Sequence, residues 1–260
     1  MPNHVPYGYQ TVSPGEKRRR VLDHFETIAQ RYDLADMLLS CGLHFFWRRK
    51  AMRLLRLHPG DNVLDLCGGT ADFAVLAARD VGPSGTVVVC DISPAMMIVG
   101  RIKALRAGVL ERIKWVQGDA EQMGFANHCL DAVIVGYGLR NLVSLESGLQ
   151  EILRVLKPGG RFMAMEFSIP QAAWLRFLYH HYSFRVLPWA GRMITGSAEP
   201  FHYLAESIRV FPPPEKILKI LTNLGLQHAT AHPLSNGLAV LFSAVKSPAN
   251  PPSFQTPLIS

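Results

Sequence analysis

A pair of glycines followed at a distance by an aspartate is the first feature of this sequence that could do chemistry. Gly68 and Gly69 come directly after the apolar run Val63–Leu66 and directly before a helical pattern that opens near Thr70. A tight glycine turn lets the backbone approach a ligand closely, and the N–H groups at the start of a helix favour anionic groups. The next apolar run ends in Asp91, where a carboxylate can accept hydrogen bonds from a ribose diol. These residues predict a site for a ligand that carries a ribose.

The residues that end two later apolar runs support the same prediction. Asp119 and Ala120 close a third apolar run, where an acid is placed to meet an adenine amino group, and Gly136 closes a fourth, where side-chain bulk is small. The GxGxxG spacing of dinucleotide-binding proteins is missing, which favours S-adenosylmethionine over NAD. The alternative is a structural turn in which Asp91 only caps the following helix. The candidate cofactor-binding residues are Asp65, Gly68, Gly69, Thr70, Asp91, Asp119, Ala120 and Gly136.

These residues need a scaffold in which several strands end at one edge. Short β-rich runs alternate with helical patterns, which is typical of βαβ units on a parallel sheet. The predicted fold is therefore α/β and Rossmann-like, with a seven-stranded, mostly parallel sheet, an antiparallel last strand, N-terminal helices and a helical lid. The strands are expected at 62–66, 86–91, 113–118, 131–136, 161–167, 226–231 and 238–245, and the main helices at 71–80, 94–107, 145–156 and 215–224.

The chain has 260 residues, of which 48% are hydrophobic, and this suits one globular domain. We expect residues 1–16 to form a disordered arm and residues 17–246 a single domain with a lid at about 171–212. Residues 247–260 contain four prolines and no charged residue, so we expect a disordered tail there.

The net charge of +7 indicates an anionic partner, and much of the excess lies in Lys17–Arg20 and Arg48–Lys50. Lipid, a phosphate-bearing ligand or nucleic acid would fit, and a solvated helix face is the alternative. No RNA-binding module is visible, so we expect no nucleic-acid partner. The four cysteines form no CxxC pair, which argues against a metal site and for a reducing compartment. Without a signal-peptide pattern or a spanning segment, we expect a cytoplasmic protein, with peripheral contact at the inner face of the membrane left open.

Several specific runs resemble the ubiquinone/menaquinone biosynthesis C-methyltransferase family, a class I methyltransferase group, from about residue 17 to residue 246. The resemblance implies S-adenosylmethionine as cofactor and methylation of a ring carbon on a prenylated quinol. The substrate would be demethylmenaquinol, 2-polyprenyl-6-methoxy-1,4-benzoquinol or both. The runs that carry it are Phe25–Asp33, Leu43–Arg48, Val63–Asp72, Tyr137-Gly-Leu-Arg-Asn141, Val155–Gly160, Glu166-Phe-Ser168 and Tyr203-Leu-Ala-Glu-Ser-Ile208.

The resemblance places cofactor contacts at Thr70, Asp91, Asp119 and Ala120. The sequence departs from the family pattern at three nearby positions, Cys67, Ala71 and Gly136, where the family usually has a small non-cysteine residue, glycine and serine, respectively. A methyl group on residue 71 would crowd the turn if the φ angle there is positive. We therefore expect Ala71→Gly to keep or tighten cofactor binding.

The reaction implied by the resemblance needs a base, or a water held by one, and a group that stabilises a phenolate. The candidate catalytic residues are Arg140, Asn141, Tyr203 and His202. Arg140 and Asn141 follow the fourth strand, at the edge where open α/β sheets bind ligands, while Tyr203 and His202 would contact substrate from the lid. A structural salt bridge is the alternative for Arg140, and an ordinary surface position is the alternative for His202.

The aromatic and basic stretch from Trp174 to Arg192 has two interpretations. It is either the core of an added helical layer or an apolar mouth for an isoprenoid tail, with arginines at an anionic membrane surface. A homodimer is a further open expectation. The alternative functions are methylation of another lipophilic small molecule, methylation of RNA, and a non-catalytic cofactor-binding subunit.

Overall fold

The computed structural model describes residues 4–40 and 42–248. Nine strands and ten α-helices occur in this part of the chain. The strands are β1 (Val5–Tyr7), β2 (Gln10–Val12), β3 (Asn62–Leu66), β4 (Thr86–Asp91), β5 (Ile113–Gln117), β6 (Leu130–Gly136), β7 (Leu156–Phe167), β8 (Leu226–Leu234) and β9 (Ala239–Lys246). The helices are α1 (Pro14–Ile28), α2 (Tyr32–Ser40), α3 (His44–Leu55), α4 (Asp72–Asp80), α5 (Pro94–Arg106), α6 (Leu145–Val155), α7 (Ala173–His181), α8 (Leu187–Thr195), α9 (Glu199–Val210) and α10 (Pro214–Asn223).

Seven strands form one sheet in the order β5-β4-β3-β6-β7-β9-β8. The pairs from β5 to β7 are parallel, whereas β9 runs antiparallel to both β7 and β8. The predicted α/β sheet with an antiparallel last strand is therefore confirmed. The sequence order reverses between β3 and β6, and at such a switch point the strand ends leave a crevice for a ligand.

The central strands are buried on both faces, as the apolar runs predict. Val63 of β3 packs into one hydrophobic core, and its neighbour Leu64 packs into the core on the other side of the sheet. Alternate residues of a strand point to opposite faces, so a strand covered by helices on both sides must be apolar throughout. This rigid layer fixes the positions of the turns that follow β3, β4 and β6.

One strand begins earlier than expected. β7 starts at Leu156, which pairs with Leu130, and the register then shifts before Ala132 pairs with Arg161. Residues 157–160 fall between the helix and the strand that the sequence predicts. In the structure they belong to the start of β7, at this irregularity, and Gly159 adopts a φ of +76° there.

The prediction of a disordered arm at residues 1–16 is wrong for the residues that can be described. Strands β1 and β2 pair as a hairpin, in which Val5 and Tyr7 are buried. Helix α1 then begins at Pro14, with the Ser13 hydroxyl oxygen accepting a hydrogen bond from the Glu16 N–H. The hairpin is ordered because Tyr7 and Val12 pack with α1 and with Tyr203 of α9. The predicted tail at 247–260 falls almost wholly on residues 249–260, which lie outside the described residues, as does Cys41.

Three helices occupy the predicted lid segment. Helices α7 and α8 are joined by a π-helical turn at Tyr182–Val186, and α9 follows after a short break. Helix α9 returns to pack against α1 and α8. The lid and the N-terminal helices therefore cover the carboxyl edge of the sheet together.

Candidate active site

The turn after β3 has an uncommon backbone. Cys67, Gly69 and Ala71 all have positive φ angles, of 54°, 50° and 63°. A Cβ atom on Gly68 would lie 2.9 Å from the carboxyl carbon of Asp65, so this position accepts only glycine without a shift. Both sequence departures at Cys67 and Ala71 thus fall on left-handed backbone, where a side chain is strained.

Asp65 holds the start of α4. Its carboxylate accepts a hydrogen bond of 2.8 Å from the backbone N–H of Ala74, and burial raises the pKa of Asp65 to about 7. The side chain is almost fully inaccessible, although it reaches the edge of a cavity above the turn. Its main structural role is to fix the glycine turn against the helix.

Asp91 lies at the end of β4, as predicted. One carboxylate oxygen accepts from the Gly69 N–H at 2.8 Å and the other from the Ser93 N–H at 2.8 Å. Burial raises the pKa of this group. A carboxylate has about four lone-pair sites, so Asp91 keeps acceptor capacity for a hydroxyl donor of a ligand.

Both carboxylate oxygens of Asp119 already have partners within the protein. One oxygen accepts from the Glu121 N–H at 2.9 Å, and the other forms a 2.6 Å ion pair with Arg18 from α1. Arg18 thus reaches across the cavity mouth to the residue expected to meet an adenine ring. The neighbouring Ala120 is buried beside it.

All eight predicted cofactor-binding residues line one cavity of about 990 Å³. The cavity is a fit for an adenosyl amino acid, because Gly68 leaves a cradle that a Cβ would fill and two acids stand at successive strand ends. Arg48 also lines it, with a buried Nε that has no hydrogen-bond partner in the described part of the chain. A carboxylate is the natural acceptor for such a donor.

The sequence motifs missed the roof of this cavity, which comes from the N-terminal helices. Arg18, Val21, Phe25, Tyr32 and Arg48 all line it. No local motif marks them, because they meet the turn only in the folded chain. The basic run at Arg48 was visible, but solvent exposure was an equally good explanation for it.

A charge network ties this roof to the turn. The ammonium group of Lys103 contacts Asp33 at 2.8 Å, Asp72 at 2.6 Å and the Thr70 hydroxyl at 3.0 Å.

The guanidinium of Arg48 pairs with Asp72 at 2.8 Å and with Asp36 at 2.6 Å. Burial raises the pKa of Asp36 to about 6 despite this cation. The network fixes α2 and α3 over Thr70.

A second cavity of about 550 Å³ adjoins the first. Phe25 and Tyr32 belong to both cavities and form the wall between them. The second cavity is largely apolar, with a few polar groups in its wall. Its lining comprises His24, Phe25, Ile28, Tyr32, Ala35, Asp36, Leu39, Arg140, Phe167, Pro200, Phe201, Tyr203 and Leu204.

Arg140 and Asn141 lie at the junction of the two cavities. Arg140 lines the second cavity and Asn141 the first. The guanidinium of Arg140 donates to the Glu166 carboxylate at 2.7 Å and to the Tyr137 carbonyl at 2.6 Å. Its Nε atom is buried and finds no acceptor among residues 4–40 and 42–248. The salt bridge foreseen as the alternative exists, and it leaves this one donor unused.

Tyr203 reaches the site from the lid, as expected. Its hydroxyl donates to the Asn141 side-chain oxygen at 3.2 Å, and burial raises the pKa of the phenol. Asn141 in turn donates to the Tyr137 carbonyl at 3.2 Å. The lid and the end of β6 are therefore joined by hydrogen bonds at the place where the cavities meet.

The assignment of His202 to the site is wrong. His202 is exposed and lies on the outer face of α9, whereas its neighbours Phe201 and Tyr203 are buried. Successive helical residues point about 100° apart, so these three side chains cannot all face inward. The imidazole in the second cavity belongs to His24 of α1. The signal for it was the helical spacing of Val21, His24 and Ile28 on one buried stripe.

Comparison with known proteins identifies the family to which the sequence is similar. A family model described as the ubiE/COQ5 methyltransferase family matches residues 13–246. The ubiquinone/menaquinone biosynthesis C-methyltransferase UbiE of Azotobacter vinelandii is 40% identical over 240 residues, which cover 92% of this chain and 95% of that protein.

Two solved structures share the fold at low sequence identity. A chain from the complex between the Haloferax volcanii Trm112 methyltransferase activator and a methyltransferase has a TM-score of 0.63 at 18% identity, covering 89% of this chain and 99% of that one. A SAM-dependent methyltransferase from Aquifex aeolicus has a TM-score of 0.56 at 12% identity, covering 90% of this chain and 98% of that one.

Proposed function

The chain belongs to the ubiE/COQ5 methyltransferase family and is an S-adenosylmethionine-dependent methyltransferase, and on that premise we propose that it methylates a ring carbon of a prenylated quinol. The substrate would be demethylmenaquinol, 2-polyprenyl-6-methoxy-1,4-benzoquinol or both. The observation that carries this proposal is the second cavity, which is largely apolar, shares a wall with the cofactor cavity and holds a buried guanidinium. An aromatic ring with one oxygen to stabilise fits this lining.

S-adenosylmethionine, when bound, supplies a methyl group on a sulfonium, and Asp91, Asp119 and the turn at 68–70 would hold it. A quinol carbon becomes nucleophilic when the neighbouring hydroxyl loses its proton. The unused Nε–H of Arg140 can donate to the oxyanion that forms, and Glu166 and the Tyr137 carbonyl hold the guanidinium in place. A fixed cation in a buried site stabilises such charge far better than water does.

Asn141 and Tyr203 would orient the ring. Their mutual hydrogen bond fixes both side chains at the junction of the cavities, so that the reacting carbon faces the cofactor. Methyl transfer is an in-line displacement, and alignment of the reacting atoms is worth several orders of magnitude in rate.

The decisive experiment identifies the product. We would incubate the protein with methyl-labelled S-adenosylmethionine and with reduced prenylated naphthoquinol or benzoquinol, and analyse the lipid extract by mass spectrometry. We expect a C-methylated quinone that carries the label. If neither quinol is labelled while the protein binds S-adenosylhomocysteine normally, the substrate assignment is wrong.

We further propose that α7 and α8 rest on an anionic membrane surface. Trp174 and Trp189 are 67% and 68% exposed, and Phe177 and Met193 are also exposed. Single exposed apolar residues are ordinary, but a run of them on two joined helices marks an interaction surface. No helix among the described residues is long and apolar enough to cross a bilayer.

Charge supports this partner. Arg176 on α7, Arg185 on the π-helical turn and Arg192 on α8 are exposed, and residues 171–198 contain no aspartate or glutamate. Co-sedimentation with vesicles of phosphatidylglycerol and phosphatidylcholine at low salt would measure the contact. We expect the double variant Trp174→Ser/Trp189→Ser to lose most of the binding, because partition of buried apolar area contributes ~25 cal/mol per Å². The matched control, Ile98→Ser/Leu105→Ser, changes exposed apolar residues on α5 and should bind normally. Equal binding by all three proteins would contradict the proposal.

A further inference from the structure

A buried histidine at the wall of the second cavity has no role in the mechanism above. His24 lines that cavity from the apolar stripe of α1. Its Nε2 atom is hydrogen-bonded to the hydroxyl of Tyr7, which comes from the N-terminal hairpin. Its Nδ1 atom makes no hydrogen bond within the described part of the chain. An unpaired ring nitrogen of a residue that lines a cavity can accept a hydrogen bond from a ligand there.

Stacked rings connect this imidazole to the junction of the cavities. The rings of Tyr7 and Tyr203 stack with centroids 4.4 Å apart, and those of His24 and Tyr203 lie 5.4 Å apart. Tyr203 then donates to Asn141, next to Arg140. His24 and Arg140 therefore face the same cavity, from α1 and from the end of β6, respectively.

The surroundings keep this imidazole neutral near pH 7. Burial lowers the pKa of His24 below its ordinary value of 6.5, and Arg20 acts in the same direction, whereas Glu199 and Asp23 oppose it. Tyr7 and Tyr203 face the ring as neutral phenols, and Asp36 and Arg140 share the cavity wall. A neutral imidazole can accept a proton, which an imidazolium cannot do.

We propose that His24 is a catalytic residue that accepts the proton of the quinol hydroxyl at Nδ1, while Arg140 stabilises the oxygen left behind. This inference rests on the proposed function, because it needs a ring hydroxyl in the second cavity. With Nδ1 as the acceptor, Nε2 carries the ring hydrogen and donates it to the Tyr7 oxygen. Tyr7 is therefore a positioning residue that selects the tautomer of His24.

The step balances without any further reactant. As the hydroxyl proton moves to His24, the electron pair of the O–H bond enters the ring, and the ring carbon adjacent to the oxygen-bearing carbon bonds the methyl group. The bond from methyl carbon to sulfur breaks with its electron pair on sulfur. The methylated carbon then releases its hydrogen to water as a proton, and His24 returns its own proton to the ring oxygen. One methyl group replaces one ring hydrogen.

The test compares His24→Gln with the matched control His202→Gln, which alters an exposed histidine. Single-turnover rates of quinol methylation would be measured from pH 5 to 9, with S-adenosylhomocysteine affinity by calorimetry as the control for folding. General bases contribute about 10²- to 10⁴-fold, so we expect His24→Gln to lose at least about 100-fold in rate at pH 7.5. Burial lowers the pKa of His24, so wild type and His202→Gln should lose rate only at a pH below the ordinary histidine pKa of 6.5, and His24→Gln should lack this limb.

A second pair of variants keeps the test valid if His24→Gln folds poorly. His24→Leu/Tyr7→Phe removes both partners, so no unpaired polar group remains, and it should show the same rate loss. Tyr7→Phe alone should reduce the rate less and keep the acid limb. A rate within threefold of wild type in both His24 variants, with the limb intact, overturns the role of His24. Inactive wild-type protein with normal cofactor affinity instead overturns the proposed function, so the two failures are distinguishable.

Discussion

The two cavities of this protein are built in different ways. The cofactor cavity is formed mainly at the ends of β3, β4, β5 and β6, which are neighbouring parallel strands of the seven-stranded sheet. The second cavity combines α1 and α2 with Arg140, Phe167 and the lid helix α9, so its parts are separated by up to about 180 residues of chain. The residues at rigid strand ends form short motifs that can be recognised in the sequence. The residues that line a cavity between distant helices are far apart in the sequence and form no such motif.

The largest expected effect on kcat is that of replacing Arg140, the proposed donor to the oxyanion. Arg140 lines the second cavity and not the cofactor cavity. Arg140→Ala should lower kcat by about 10²- to 10³-fold, as removal of an oxyanion donor does elsewhere, with cofactor affinity nearly unchanged. Steady-state kinetics and calorimetry would measure both quantities. If kcat hardly changes in a folded variant, Arg140 is only structural.

A control is needed because Arg140→Ala leaves the Glu166 carboxylate buried and unpaired. Breaking a buried pair costs about 3–5 kcal/mol in the free energy of unfolding. Arg140→Ala/Glu166→Gln should recover much of that stability without recovering kcat. Recovery of kcat together with stability would contradict a role for Arg140 in stabilising the oxyanion.

Replacing Asp91 should have the opposite result, with a large effect on cofactor affinity and a small effect on kcat. Asp91→Asn removes a charged acceptor that we expect to bind the ribose hydroxyls, and hydrogen bonds to charged groups contribute about 1.5–3 kcal/mol. We expect S-adenosylhomocysteine to bind about 10- to 100-fold more weakly, with kcat at saturating cofactor changed little. Titration calorimetry would check this. Unchanged affinity would mean that Asp91 only holds Gly69 and Ser93.

The smallest expected effect is that of Ala71→Gly. A left-handed φ costs an L-residue about 1–2 kcal/mol, but glycine loses about 0.4–1 kcal/mol through the unfolded chain. The buried Ala71 methyl also packs near Gly100. The free energy of unfolding should therefore change by less than about 1 kcal/mol, with cofactor affinity equal or tighter. Markedly weaker binding by calorimetry would show that the methyl group shapes the cavity.

Local signals explain how much of the structure the sequence predicts. The glycines at 68–69 and the acids at 91 and 119 each follow an apolar run. Because parallel strands bring such ends to one edge of the sheet, the sequence alone could predict that these residues lie together. Arg18, by contrast, pairs with Asp119 from 101 residues away, and no periodicity records that contact. His24 lies on the buried face of α1, whereas His202 lies on the exposed face of α9. Which face of each helix is buried depends on how α1 and α9 pack against each other. The hairpin was missed because three-residue strands are too short for alternation to be distinctive.

The N-terminal hairpin has a consequence for how the protein is made. Tyr7 packs against Tyr203, and the Tyr9 N–H donates to Glu206, 197 residues further along the chain. During synthesis at about 5–20 residues per second, the hairpin therefore waits roughly ten seconds or more for its partners. Contacts of such separation form late, because a long loop must close before they contribute. The hairpin should become resistant to protease only after α9 has docked, and its protection would then report completion of the second cavity.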